Sequence, residues 1–118
     1  MNQFMFVARD KNKPSVAMSD EERADFMKKF SAWTENLTDK KLFIRADQLS
    51  KEFKRVQLND ASIKVVDGPF AETKEALTGY FLIRAENMDH ALEIAKTCPV
   101  LRFDNLEIYE IKEGTHNE

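Results

Sequence analysis

The order of elements in the sequence predicts an α+β domain: one antiparallel sheet with two helices on a single face. Three observations carry this prediction. Short apolar or alternating runs recur along the chain, as strands do. Two longer segments repeat apolar residues at helical spacing, each with one inner stripe. Their order is strand, helix, strands, hairpin, strand, helix, strand.

Phe4-Met5-Phe6-Val7-Ala8 is a continuous apolar run of strand length, which predicts a strand buried on both faces. Residues 9–15 are polar with a Pro at 14 and form a loop. Ser19-Asp20-Glu21-Glu22 has the form of a capping box, and its acids suit the positive end of a helix dipole. The helix that follows places Phe26, Phe30, Trp33 and Leu37 on one face and Lys28, Lys29 and Glu35 opposite. It ends near Asp39-Lys40-Lys41, where cations suit the negative end.

Leu42 to Arg45 begins an extended segment, and 47–53 reads either as a loop or as a short helical turn. Residues 54–58 and 61–66 form a hairpin around a turn at Asn59-Asp60. Gly79 to Ala85 is a strand. Asn87 caps a second helix with Met88, Ala91, Leu92 and Ala95 inward, and that helix stops at Cys98-Pro99. Leu106 to Ile111 alternates as a last strand. Residues 1–112 form a single domain, and 113–118 form a polar tail. Phe6, Phe81 and Ile83 suggest apolar groups on more than one sheet face. An uncovered apolar face predicts a partner, most simply a second copy of the chain.

Composition narrows the class of function. The 118 residues suffice for one core, and 42% hydrophobic with 33% charged residues is ordinary for a soluble globular chain. A net charge of −3 offers no basic footprint for nucleic acid. Arg45, Lys51, Lys54 and Arg55 are a mild basic cluster diluted by Asp47 and Glu52. No apolar stretch approaches the ~20 residues of a membrane span, and the first residues lack a basic leader, so a cytoplasmic location is expected. Cys98 is the single cysteine, and its place at a helix end favours a core role over a nucleophile. His90 and His116 have no neighbouring His or Cys, so no zinc-type site is predicted.

The most distinctive stretch is Val66-Asp67-Gly68-Pro69-Phe70-Ala71-Glu72-Thr73-Lys74-Glu75, followed by Gly79-Tyr80-Phe81-Leu82-Ile83. It is longer than a hairpin turn needs. It resembles the signature of the DGPF branch of the YCII-related family, and the resemblance runs from Phe4 to Ile111. That family implies a ferredoxin-like unit, two of which pack sheet to sheet as a dimeric α/β barrel. The barrel's relatives in a wider sense include isomerases, dehalogenating lyases and oxygenases that need no metal, and no cofactor is expected here. Two departures concern turns: Thr78-Gly79 stands where the family often has Gly-Gly, and Lys41 where it often has Gly. A third concerns chemistry. The branch proper carries a His in the first helix and an Asp at its end. Here the Asp matches Asp39 but the His falls on Phe30, so that pair cannot move a proton in the same way.

Within the signature, Asp67, Glu72 and Lys74 are the candidate catalytic residues, with Phe70, Thr73, Tyr80 and Arg9 as candidate substrate contacts. A carboxylate near an apolar wall can serve as acid or base, and a Lys between carboxylates can hold an anion. Those residues fit a small-molecule site at the signature loop, acting on small carboxylates or cyclic carbonyls. The structural alternative is a turn that uses Gly68 for freedom, Pro69 for its fixed φ and Phe70 as an anchor. The functional alternative is a non-catalytic accessory protein, since DGPF-type genes often lie near alternative sigma factors.

Overall fold

The structure, a computed structural model, describes residues 1–11, 18–68 and 76–113. Its elements are β1 (Asn2–Asp10), α1 (Asp20–Asp39), β2 (Phe43–Gln48), β3 (Phe53–Asn59), β4 (Ser62–Gly68), β5 (Leu77–Ala85), α2 (Met88–Ala95), a 3-10 turn (Pro99–Arg102) and β6 (Asp104–Glu110). Four strands form one antiparallel sheet in the order β2-β5-β1-β6, and β3 and β4 form a separate two-stranded ribbon. The segment after Gln48, left open between loop and helical turn, forms no helix.

Register decides which residues meet the helices. Phe6 lies opposite Phe81 on one side and Ile108 on the other, and Phe4 lies opposite Ile83. Directly opposed residues share a face, so Phe4, Phe6, Phe81 and Ile83 all point the same way, toward the helices. Phe4, Phe6 and Ile83 are fully buried, and each contributes about 1.5–3 kcal/mol of hydrophobic stabilisation. This corrects the expectation that Phe6, Phe81 and Ile83 divide between two faces. The open face is carried instead by Met5 opposite Leu82 and Val7 opposite Tyr80.

α1 begins as the sequence predicts. Ser19 Oγ accepts from the Glu22 N–H at 3.1 Å, and Glu22 Oε1 accepts from the Ser19 N–H at 3.1 Å. Trp33 and Leu37 are buried and Phe26 and Phe30 half-buried. The Trp33 indole N–H donates to Thr97 Oγ1 at 2.9 Å, fastening α1 to the end of α2. At the exit, the Leu42 N–H donates to the Leu37 carbonyl at 2.8 Å and the Lys41 N–H to that of Thr38 at 2.9 Å. This is a Schellman motif, with Leu42 and Leu37 meeting in the core. Lys41 holds its left-handed position at φ 62°, the place where a Gly is favoured.

In α2, the Asn87 side chain accepts from the His90 N–H at 2.9 Å. Ala91, Ile94 and Ala95 are buried, whereas Met88 and Leu92 are exposed. The inner stripe is thus rotated from the predicted one, because the two alanines and Ile94 let the helix lie close on the sheet. The helix ends at Ala95 rather than at Cys98. Pro99 opens the 3-10 turn, where its missing N–H costs nothing. Cys98 is buried, and that burial pushes its thiol up to about 11.

β3 and β4 turn through Asp60-Ala61, with Asp60 at φ 53° as a two-residue turn requires. At the root of this arm the Phe53 ring lies over Gly68, where a Cβ would meet it at 2.3 Å.

Candidate functional site

A cavity of about 340 Å³ lies between the first half of α1 and one end of the sheet. Its cause is the size of the inward side chains. Phe4, Phe6 and Ile83 fill the space under the helices at one end of the sheet. At the other end the strands offer Ala8, Ala46 and Gly79, which leave room. Gly79 is required there, because a Cβ would stand 2.7 Å from the Asp47 carbonyl oxygen. Phe26, Met27 and Phe30 of α1 form the apolar roof, and Val100 closes one side. Phe30 packs against Phe81 at 6.1 Å between ring centroids, and Phe26 against Phe103 at 5.0 Å.

The polar groups on the wall are Thr78, Gln48 and Asp104, while Tyr80 and Asp47 border the cavity from strand positions whose side chains take the open sheet face. Thr78 Oγ1 lies 3.1 Å from Asp104 Oδ2 and 3.2 Å from the Ala8 carbonyl oxygen. A hydroxyl has one proton, so it donates to only one of these acceptors. Both contacts are satisfied together when the Asp104 carboxyl is protonated and itself donates to Thr78. Burial pushes the Asp104 carboxyl above its ordinary range; the Thr78 hydroxyl opposes this, nearby Asp10 adds to it and Lys11 offsets it. Asp47 behaves oppositely. The Tyr80 hydroxyl donates to its Oδ2 at 2.6 Å and Arg45 donates at 2.6 Å, and these two partners hold Asp47 below the usual carboxylate range. The same bond to Asp47 raises the Tyr80 phenol. Asp104 on the cavity wall therefore holds a proton more readily than an ordinary carboxyl, while the Asp47, Tyr80 and Arg45 set lies on the open sheet face.

The sequence-predicted residues fall in different places. Tyr80 borders the cavity, but from a strand position on the open sheet face, where its hydroxyl is bonded to Asp47. Asp67 lies on the arm, exposed and paired with Lys54 Nζ at 2.6 Å, and is not among the lining residues. Arg9 lies beside the open sheet face, where its Nε donates to Glu107 Oε1 at 2.9 Å. Phe70, Glu72, Thr73 and Lys74 lie outside the described residues, as does His116. Phe30, at the position matched to the family His, lines the cavity, while Asp39 at the helix exit does not. His90 Nδ1 accepts from the Glu86 N–H at 3.0 Å. In the basic cluster, Arg45 and Lys54 are each paired with an acid. Asp104, Thr78 and Asp47 were not singled out from the sequence. The signal for Asp104 was present: it alternates with Leu106 and Ile108, so an acid stands at an inward strand position. Among the described residues, no cluster of three His, Cys, Asp or Glu side chains could hold a metal ion. No helix among them is long and apolar enough to cross a membrane.

An antiparallel sheet with two helices on one face and a small cavity beneath the first helix defines an α+β, ferredoxin-like domain. The model of the YCII-related domain matches residues 3–115, and the chain belongs to that family. An uncharacterized protein of Rhizobium meliloti (strain 1021) is 56% identical over 32 residues, a match spanning 27% of this chain and 26% of that protein. Among solved structures, the chain resembles 5-chloro-2-hydroxyhydroquinone dehydrochlorinase (TftG) from Burkholderia phenoliruptrix AC1100, in complex with 2,5-dihydroxybenzoquinone. The TM-score is 0.54 with 17% identity, over 98% of this chain and 99% of that one. At that identity the likeness concerns the fold.

Proposed function

We propose that the cavity under α1 binds a small cyclic molecule with carbonyl or hydroxyl groups, and that Asp104 exchanges a proton with one of its oxygens. The observation that carries this reading is a carboxyl with raised proton affinity, bonded to Thr78 and facing an aromatic roof. A volume of about 340 Å³ suits one substituted ring, and Phe26 and Phe30 can lie against its face. The Asp104 carboxyl on the wall disfavours a carboxylate substrate and favours a neutral enol or phenol. General acid–base catalysis of this kind, worth about 10²–10⁴-fold, would serve an isomerase or a lyase without a cofactor. The ring named with the dehydrochlorinase supports this substrate class. Asp67-Gly68-Pro69-Phe70 supports the DGPF branch, and the apolar open sheet face supports a homodimer joined sheet to sheet.

The test is thermal stabilisation by hydroquinone, resorcinol and 1,2,4-benzenetriol under argon, with benzoate as the carboxylate. A ligand at a hundredfold over its dissociation constant adds about 2.7 kcal/mol, a shift of several degrees. The shift should appear with the phenols and vanish in Phe30→Ala. Turnover of a bound ring should vanish in Asp104→Asn. Stabilisation by benzoate alone would overturn the reading, and no response to any ring would favour the accessory protein.

A further inference from the structure

The arm formed by β3 and β4 carries one apolar face. Val56 lies opposite Val65 and Leu58 opposite Ile63, so these four side chains stand together. They are 65%, 57%, 68% and 68% exposed, respectively. The other face presents Arg55, Gln57 and Lys64, with Val66 opposite Arg55 and Phe53 at the root. This is the pattern of a ribbon lying on a core, yet neither strand makes extensive contact with any element but the other. The radius of gyration, 16.9 Å, exceeds the ~13–14 Å of a compact chain of this length, as a projecting arm requires. An isolated two-stranded hairpin is at best marginally stable in water. The described residues leave this face uncovered.

We propose that the arm clasps a second copy of this chain, each arm laying Val56, Leu58, Ile63 and Val65 on its partner. The proposal rests on the reading that two copies meet through their open sheet faces. Two features favour a second copy over another protein. The same chain carries a second apolar surface on its open sheet face, that of the half-exposed Met5 and Leu82 beside Val7, so one two-fold contact can bury both. The area also fits. A fully exposed aliphatic side chain presents roughly 100 Å², so the four leave on the order of 300 Å² open per arm. Two arms, with the surfaces they cover, reach about 1,000 Å², the lower bound of a specific interface, before the sheet faces are added.

The experiment is light scattering across a dilution series, on the full chain and on the double variant Leu58→Thr, Ile63→Thr. Threonine keeps the β preference and opposed Thr pairs are favourable in a ribbon, so the arm itself should persist. Expected is a wild-type dimer whose dissociation constant rises about a hundredfold in the variant. Hydrogen exchange at 53–59 and 62–68 should slow as wild-type concentration rises. A wild-type dimer that the variant leaves unchanged, with exchange in the arm independent of concentration, overturns the clasp while leaving sheet-to-sheet pairing intact. A wild-type monomer at all concentrations overturns both, and would mean that the arm serves a different protein or none.

Discussion

Replacing Lys41 by glycine should stabilise this protein. Lys41 stands at φ 62°, in the position after the α1 cap where the chain reverses into β2. A side chain in that conformation costs roughly 1–2 kcal/mol, because its Cβ crowds the following carbonyl. Glycine removes this cost but loses roughly 0.5–1 kcal/mol through its greater freedom in the unfolded chain. The net gain is therefore about 0.5–1 kcal/mol. Nothing else is lost, since Lys41 is exposed and its ammonium makes no ion pair among the described residues. For a chain of this size the gain corresponds to a rise in Tm of about 2–4 °C. The assay is a calorimetric or circular-dichroism melt at one fixed protein concentration, with Lys41→Ala as control. Alanine keeps the Cβ and should give no comparable rise. A Tm for Lys41→Gly at or below that of Lys41→Ala would refute the assignment of strain to this residue.

Gly79→Ala should destabilise by about 1–3 kcal/mol, because its Cβ would fall 2.7 Å from the Asp47 carbonyl and backbone on both sides must move; an unchanged urea midpoint would show that the strands are not held so close. Asp104→Asn should alter the pH dependence of stability in a defined direction. The wild-type carboxyl has a folded-state pKa raised from its ordinary 3.8, so it favours the fold below that value and loses this contribution as pH rises through the folded pKa. The variant lacks that slope, so urea melts should show its stability gaining on wild type across this window and then running parallel. A variant that instead falls behind over the same window would reverse the sign and remove the case for Asp104 as a proton holder.

How far these features were legible depends on how local their physics is. The capping box at Ser19 and Glu22 is settled within one helical turn, and the Asn87 cap likewise. The aromatic stripe of α1 follows from helical spacing alone. The stripe of α2 did not, because which apolar residues turn inward depends on how closely the helix can approach the sheet, and Ala91 and Ala95 allow a close approach. The signature drew attention to the chain just after it, where Thr78 and Gly79 line the cavity and Tyr80 borders it from the open sheet face. Asp67, in contrast, is carried off by the strand it belongs to and pairs with Lys54.

By itself the sequence determined the fold class, the two helix starts, the strands and the family, since each rests on neighbours in the chain or on a run of matched residues. Only the tertiary structure decided that Phe6, Phe81 and Ile83 share one face, because that depends on the register between β1 and β5. It alone produced the cavity, for Ala8, Ala46 and Gly79 are far apart in sequence and become one floor only when three strands pair. And it alone set Asp104 beside Thr78, where burial raises the carboxyl's affinity for its proton above the ordinary range.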